Sequence, residues 1–127
     1  MTTHILALGG GGFSMSNRGE PTALDRHILD LSGKSSPLVC FAPTAAADDP
    51  VYINRFLAAY SALGVRSMVL TLWQGAAESV ERLSQADVVI SGGGSAANLV
   101  ALWKMHGVDH VIRRMIAADN DVVLAGV

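Results

Sequence analysis

Two stretches of this chain have the residue types and spacing for acyl-transfer chemistry. The first is Asp121-Val-Val-Leu-Ala-Gly126-Val127, an apolar run that ends in Gly-Val. In the pattern G-x-S-x-G, a glycine and one further residue lead into a serine held on a tight strand-to-helix turn. Gly126 and Val127 fit that entry, so the pattern predicts a nucleophilic serine directly after Val127. The second is Ser91-Gly92-Gly93-Gly94-Ser95, which follows another apolar run and opens a helical pattern. Backbone N–H groups at such a place can meet an anion or a developing oxyanion. Taken alone, the glycine triplet is equally well a turn that needs positive φ. Beside a nucleophile it becomes a donor loop, with Gly93 the preferred donor and Gly94 next to it.

Other residues are weaker candidates. Gly9-Gly10-Gly11-Gly12 follows the first apolar run, but Ser14 stands where a dinucleotide fingerprint needs its third glycine. No acidic residue closes the second strand either, so a tight loop approaching a ligand fits better than a nucleotide cradle. That makes Gly12 and Ser14 candidate substrate contacts. In Pro43-Thr44-Ala-Ala-Ala-Asp48-Asp49, the two aspartates read most simply as a helix cap and its neighbour. Thr44 and Asp48 could instead face the crevice and orient substrate. Cys40 lies inside an apolar run and reads as a buried structural thiol. His106 and His110 are four apart, but Gly107 interrupts the helix between them and no third ligand is apparent, so no metal site is expected. Trp73 and Trp103 read as packing residues.

The elements that must position these residues alternate regularly. Strands are expected at His4–Leu8, Leu38–Ala42, Ser67–Leu72, Asp87–Ile90 and Val122–Ala125. Helices are expected at Thr22–Leu31, Pro50–Leu63, Ala76–Leu83, Ala96–Trp103 and Val108–Ala117, the last two being one segment broken near Gly107. This alternation predicts βαβ units and a parallel sheet with helices on both faces. Short turns at Gly33–Ser36, Gly64–Val65, Ser84–Ala86 and Asp119–Asn120 carry little chemistry. The strand-to-helix loops hold the unusual residues, and in a parallel sheet they all share the carboxyl edge, where open α/β sheets place ligands.

Composition agrees with that class. The 127 residues are half apolar and only 16% charged, with a formal net charge of -2. That suits strands buried on both faces, with no electrostatic footprint for nucleic acid. No apolar run reaches the roughly 18–20 residues of a membrane span, and the N-terminus lacks a basic start. One cysteine excludes an intrachain disulfide. A cytoplasmic α/β protein is the expectation.

Taken together the loops resemble the peptidase E family of serine peptidases, the aspartyl dipeptidases. The matching stretches are Leu8-Gly-Gly-Gly-Gly-Phe-Ser14, Val39-Cys-Phe-Ala-Pro-Thr-Ala45, Asp49-Pro-Val-Tyr-Ile-Asn-Arg-Phe56, Ser91-Gly-Gly-Gly94, Ala97-Asn-Leu99, Ala101-Leu-Trp103 and Val122-Val-Leu-Ala-Gly-Val127. They span essentially the whole chain in order. The resemblance implies a flavodoxin-like sheet, similar to class I glutamine amidotransferases and incomplete at its C-terminus. It implies cofactor-free hydrolysis of short peptides with an N-terminal aspartate by a serine, a histidine and a carboxylate partner. Gly93 and Gly94 match the oxyanion region, and Gly126 and Val127 the elbow entry; the triad positions all fall beyond Val127. Family members often have Asn-Thr after the glycines, where this chain has Ser95-Ala96. Ser95 could donate a shorter hydrogen bond in place of that asparagine, and Asn98 is a further candidate contact. The chain is thus expected to be the N-terminal portion of a longer domain, inactive alone and completed by a complementary chain beginning with the serine. A carboxylate at Val127 would lie close to where the oxyanion forms. The assembly could also form a homo-oligomer. The rival reading is a non-catalytic α/β module whose glycine loops hold a small anion.

Overall fold

A computed structural model describes residues 2–118 and 121–127. The expected turn at Asp119–Asn120 lies outside the described residues. The strands are β1 (His4–Ala7), β2 (Leu38–Ala42), β3 (Arg66–Val69), β4 (Val88–Ser91) and β5 (Val123–Gly126). The helices are α1 (Ala23–Leu31), α2 (Pro50–Ala62), α3 (Ala76–Leu83), α4 (Ala96–His106) and α5 (Val108–Ala117). Their starts follow local chemistry. Thr22 and Asp25 close a capping box on α1, and the Asp49 carboxylate accepts from Val51 N–H with Pro50 in the first turn of α2. Gly107, at φ 73°, caps α4 and separates it from α5, the break expected from its position. Expected and observed ends differ by three residues at α4, which runs on to His106, and at β3, which pairs over Arg66–Val69 although its apolar run continues to a buried Leu70 and Leu72.

All neighbouring strands pair in parallel, in the order β1-β5-β4-β2-β3. Strands β2 to β5 follow the 2-1-3-4 arrangement of a flavodoxin-like sheet, and β1 is added beside β5. The chain therefore leaves β2 toward one edge and β4 toward the other. A crevice opens at such a switch point, outside the carboxyl ends of the strands.

Alternation along the strands fills two cores. Val39 and Phe41 face the layer of α1 and α2 with Phe13, Ile28, Phe56 and Tyr60. Cys40 and Ala42 face the opposite layer with Leu83, Val108, Val111 and Met115. Helices on both faces explain the apolar composition, since each central strand must be apolar on both sides. Cover is uneven, however. Ile5 on β1 is 76% exposed, and a groove of about 290 Å³ runs over Ile5, Ala7, Leu124 and Gly126 to Leu99 and Trp103 of α4. Alongside it α4 buries no residue completely, and Val100 and Met105 are exposed. Among the described residues no helix is long and apolar enough to cross a membrane.

Candidate functional site

Strand pairing brings the elbow entry and the glycine triplet together. Gly126 is in register with Ala7 on one side and Ser91 on the other. Leu8 N–H donates to Gly126 O at 2.7 Å and Val127 N–H to Ser91 O at 3.3 Å. The Gly126-Val127 end thus leaves the sheet between the loops that follow β1 and β4. A Cβ on Gly93 would sit 3.6 Å from Val127 Cγ1, which puts the triplet in contact range of the elbow entry.

The three glycines have different reasons for being small. Gly92 donates its N–H to Ala42 O at 3.0 Å, and a Cβ there would meet the Tyr52 ring at 2.9 Å. Gly94 has φ +143°, and a Cβ would lie 2.2 Å from Ala45 O. This is backbone only glycine adopts without strain. The tight approach is clamped by Ser95 N–H donating to Ala45 O at 2.8 Å. Gly93 has neither a positive φ nor a close neighbour. The two expected donors also differ. Gly93 N–H donates to Tyr52 Oη at 3.3 Å, whereas Gly94 N–H has no hydrogen bond among the described residues. Behind them Ser95 caps α4, its Oγ accepting from Asn98 N–H at 3.2 Å, so the helix N-terminus adds positive potential to the loop.

Two expected contacts spend oxygens on partners within the protein. Thr44 has no exposed surface, and its Oγ1 accepts the Trp103 indole N–H at 3.1 Å. Its hydroxyl is consumed in joining the β2 loop to α4. Asp48 Oδ2 accepts from Leu72 N–H at 2.8 Å and Trp73 N–H at 2.9 Å. It staples the loops after β2 and β3, and Asp49 alone caps the helix. Trp73, expected to pack, is 51% exposed. Ser14 is half-buried with Oγ 3.4 Å from Gly11 O. Gly12 is buried against Asp25 and turns the chain so that Phe13 enters the aromatic core. Asn98 is exposed on the first turn of α4. His106 ends α4 and His110 lies on α5 across Gly107, and among the described residues no group of three or more His, Cys, Asp or Glu could hold a metal.

The residues that sequence reasoning missed are Tyr52 and Arg55. Both lie in the first turns of α2, whose N-terminus starts at the same carboxyl edge as the loops. That placement was the available signal. The ring of Tyr52 packs edge-on against Phe41 with centroids 4.9 Å apart, which aims its hydroxyl at Gly93. Tyr52 and Arg55 line a cavity of about 240 Å³ with Ser14, Asp49 and Val51. Deeper, Tyr60 Oη donates to the buried Asp25 carboxylate at 2.9 Å. Burial, with the Asp25 charge and hydrogen bond added, pushes the Tyr60 phenol well above its usual range. The Cys40 thiol is pushed up to about 12, mainly by burial, and is no nucleophile at neutral pH.

Comparison with known proteins agrees with this architecture. The family model of peptidase family S51 matches residues 5–127. The chain is 40% identical to the "Uncharacterized peptidase YgaJ" of Bacillus subtilis (strain 168), over 97% of this chain and 52% of that one. A crystal structure of a Listeria monocytogenes EGD-e protein assigned to peptidase E is similar at 25% identity, covering 77% of this chain and 50% of that one, with TM-score 0.58. A peptidase from an acI-B1 Actinobacterium shares the fold at TM-score 0.70 and 17% identity, over 96% of this chain and 52% of its own. The chain spans about half the length of the relatives it matches.

Proposed function

The chain belongs to peptidase family S51, and from that premise we propose that it forms the scaffold and oxyanion loop of a serine peptidase acting on short peptides with an N-terminal aspartate. One observation carries the reading: the elbow entry at Val127 lies against Gly93, and next to it the Gly94 amide has no hydrogen bond among the described residues. A serine following Val127 would attack the scissile carbonyl, and the carbonyl oxygen would gain its negative charge beside these amides. Preorganised donors at such a point lower the barrier by several kcal/mol. The proposed histidine takes the serine proton and passes it to the departing amine as the scissile C–N bond breaks; water, deprotonated by the same histidine, then attacks the acyl ester and frees the serine. The histidine and carboxylate of the proposed triad, like the serine, lie in a complementary segment. The uncovered groove over Ile5, Leu124 and Trp103 supports that part of the reading, because an apolar sheet face beside the elbow suits a packed helix.

The test is cleavage of an Asp-Xaa dipeptide by the complete enzyme, with loss of activity when the serine after Val127 becomes alanine. Undiminished cleavage by the alanine variant refutes the mechanism.

A further inference from the structure

Arg55 is a half-buried cation whose neighbours do not neutralise it. Its Nη2 donates to Ser16 O at 3.1 Å, which ties the guanidinium to the loop after β1. Among the described residues no carboxylate lies within ion-pair distance of it; the one ion pair there joins Lys34 and Asp87. A guanidinium has five N–H donors in a planar fork matched to a carboxylate, so most of its capacity is unspent. It borders the cavity shared by Ser14 and Tyr52; the Tyr52 hydroxyl accepts from Gly93 and keeps its proton to donate, and the Ser14 hydroxyl would turn from Gly11 O, 3.4 Å away, to join it. Asp49 lies at the exposed rim of that cavity, with Oδ1 accepting from Val51 N–H at 3.0 Å, and water screens its charge.

We propose that Arg55, with Ser14 and Tyr52, forms a subsite for a carboxylate of the peptide substrate. The proposal rests on the peptidase reading above. Tyr52 belongs to both places: its ring walls the cavity and its oxygen accepts from Gly93 N–H. A carboxylate drawn to Arg55 is therefore held one side chain away from the oxyanion loop. Two carboxylates of a dipeptide have this chemistry, the side chain of an acidic first residue and the free C-terminus.

Three peptides separate the sources: Asp-Leu, Asp-Leu amide and Asn-Leu, each assayed with the complete enzyme and its Arg55→Gln variant as substrate or, where it is not cleaved, as competitive inhibitor of Asp-Leu hydrolysis. The variant is expected to raise KM at least tenfold for Asp-Leu with little change in kcat. For one of the other two peptides the variant should match the wild type. Insensitivity of Asn-Leu assigns the side-chain carboxylate; insensitivity of the amide assigns the C-terminus. Arg55→Lys should recover part of the loss, since it keeps the charge without the fork. An equal loss for all three peptides, or no loss for any, overturns the proposal. Should the wild type cleave none of them, the peptidase reading fails. The subsite is then judged by titrating succinate into the same preparation and following the Tyr52 and Gly93 amide resonances. Saturable shifts that vanish in Arg55→Gln support it, and their absence from the wild type overturns it.

Discussion

The two ends of the sheet handle polar groups in opposite ways. At the amino edge, Asp87 serves three strands at once. Its carboxylate accepts from Leu38 N–H at 2.8 Å and pairs with Lys34. Its own N–H donates to Leu38 O, and its carbonyl accepts from Val123 N–H. At the carboxyl edge, the loop after β4 keeps Gly94 N–H without a partner among the described residues, and Arg55 has one hydrogen bond there, to Ser16 O. Closing the hydrogen bonds holds β2, β4 and β5 in register, while leaving some open provides binding capacity. The proposed function thus sits at the edge that keeps unspent donors, as expected where loops carry the chemistry on a rigid scaffold.

The sharpest way to break this contrast is Gly94→Ala. Its Cβ would strike Ala45 O in a backbone conformation L residues rarely adopt, so a loss of about 3 kcal/mol or more is expected in urea unfolding. A variant as stable as wild type would mean that the loop is not clamped. Gly93→Ala should behave oppositely. It has ordinary van der Waals room, so stability should change by less than about 0.5 kcal/mol. Activity of the complete enzyme should fall on the order of 100-fold, because the methyl group fills the space beside the elbow.

At the other end, Asp87→Ala should cost about 1–2 kcal/mol at pH 7, discounted for partial exposure. Burial pushes the Asp87 carboxyl up, but the Leu38 N–H and the Lys34 charge outweigh it and hold the group below its usual value. A lowered folded value means that its stabilising contribution is present above the unfolded pKa, roughly 3.9. That contribution is lost as pH falls through the folded value. Denaturation curves of wild type and variant should therefore converge in strong acid, and a gap that persists there would assign the effect to packing. The smallest effect concerns Cys40, between the two edges. With its thiol pushed up to about 12, it should react with a thiol reagent at pH 8 only as fast as the protein unfolds. Fast labelling of folded protein would show an opening through β2.

Much of the architecture was legible in the sequence because it rests on local and periodic signals. Short apolar runs alternating with helical patterns gave the parallel α/β class, and Gly107 marked the break between α4 and α5. Asp48-Asp49-Pro50 marked the start of α2, and the structure picked Asp49 as its cap. The candidate site was legible only as a set of loops. Thr44 could be read as facing the crevice and Asp48 as a cap or its neighbour because their real partners, Trp103, Leu72 and Trp73, come from other strand-helix units. Tyr52 was hidden for the converse reason, as its role depends on Gly93, 41 residues away.

By itself, then, the sequence determined which elements form and that the glycine loops gather at the carboxyl edge, since periodicity and capping are local and a parallel sheet turns all its strand-to-helix loops to one side. Only the tertiary structure decided the strand order that puts Val127 between the β1 and β4 loops, and which donors remain open. Both depend on pairings between residues far apart in the chain, where backbone and side-chain groups compete for the same partners. Such competition is resolved by packing, and no local pattern encodes its outcome.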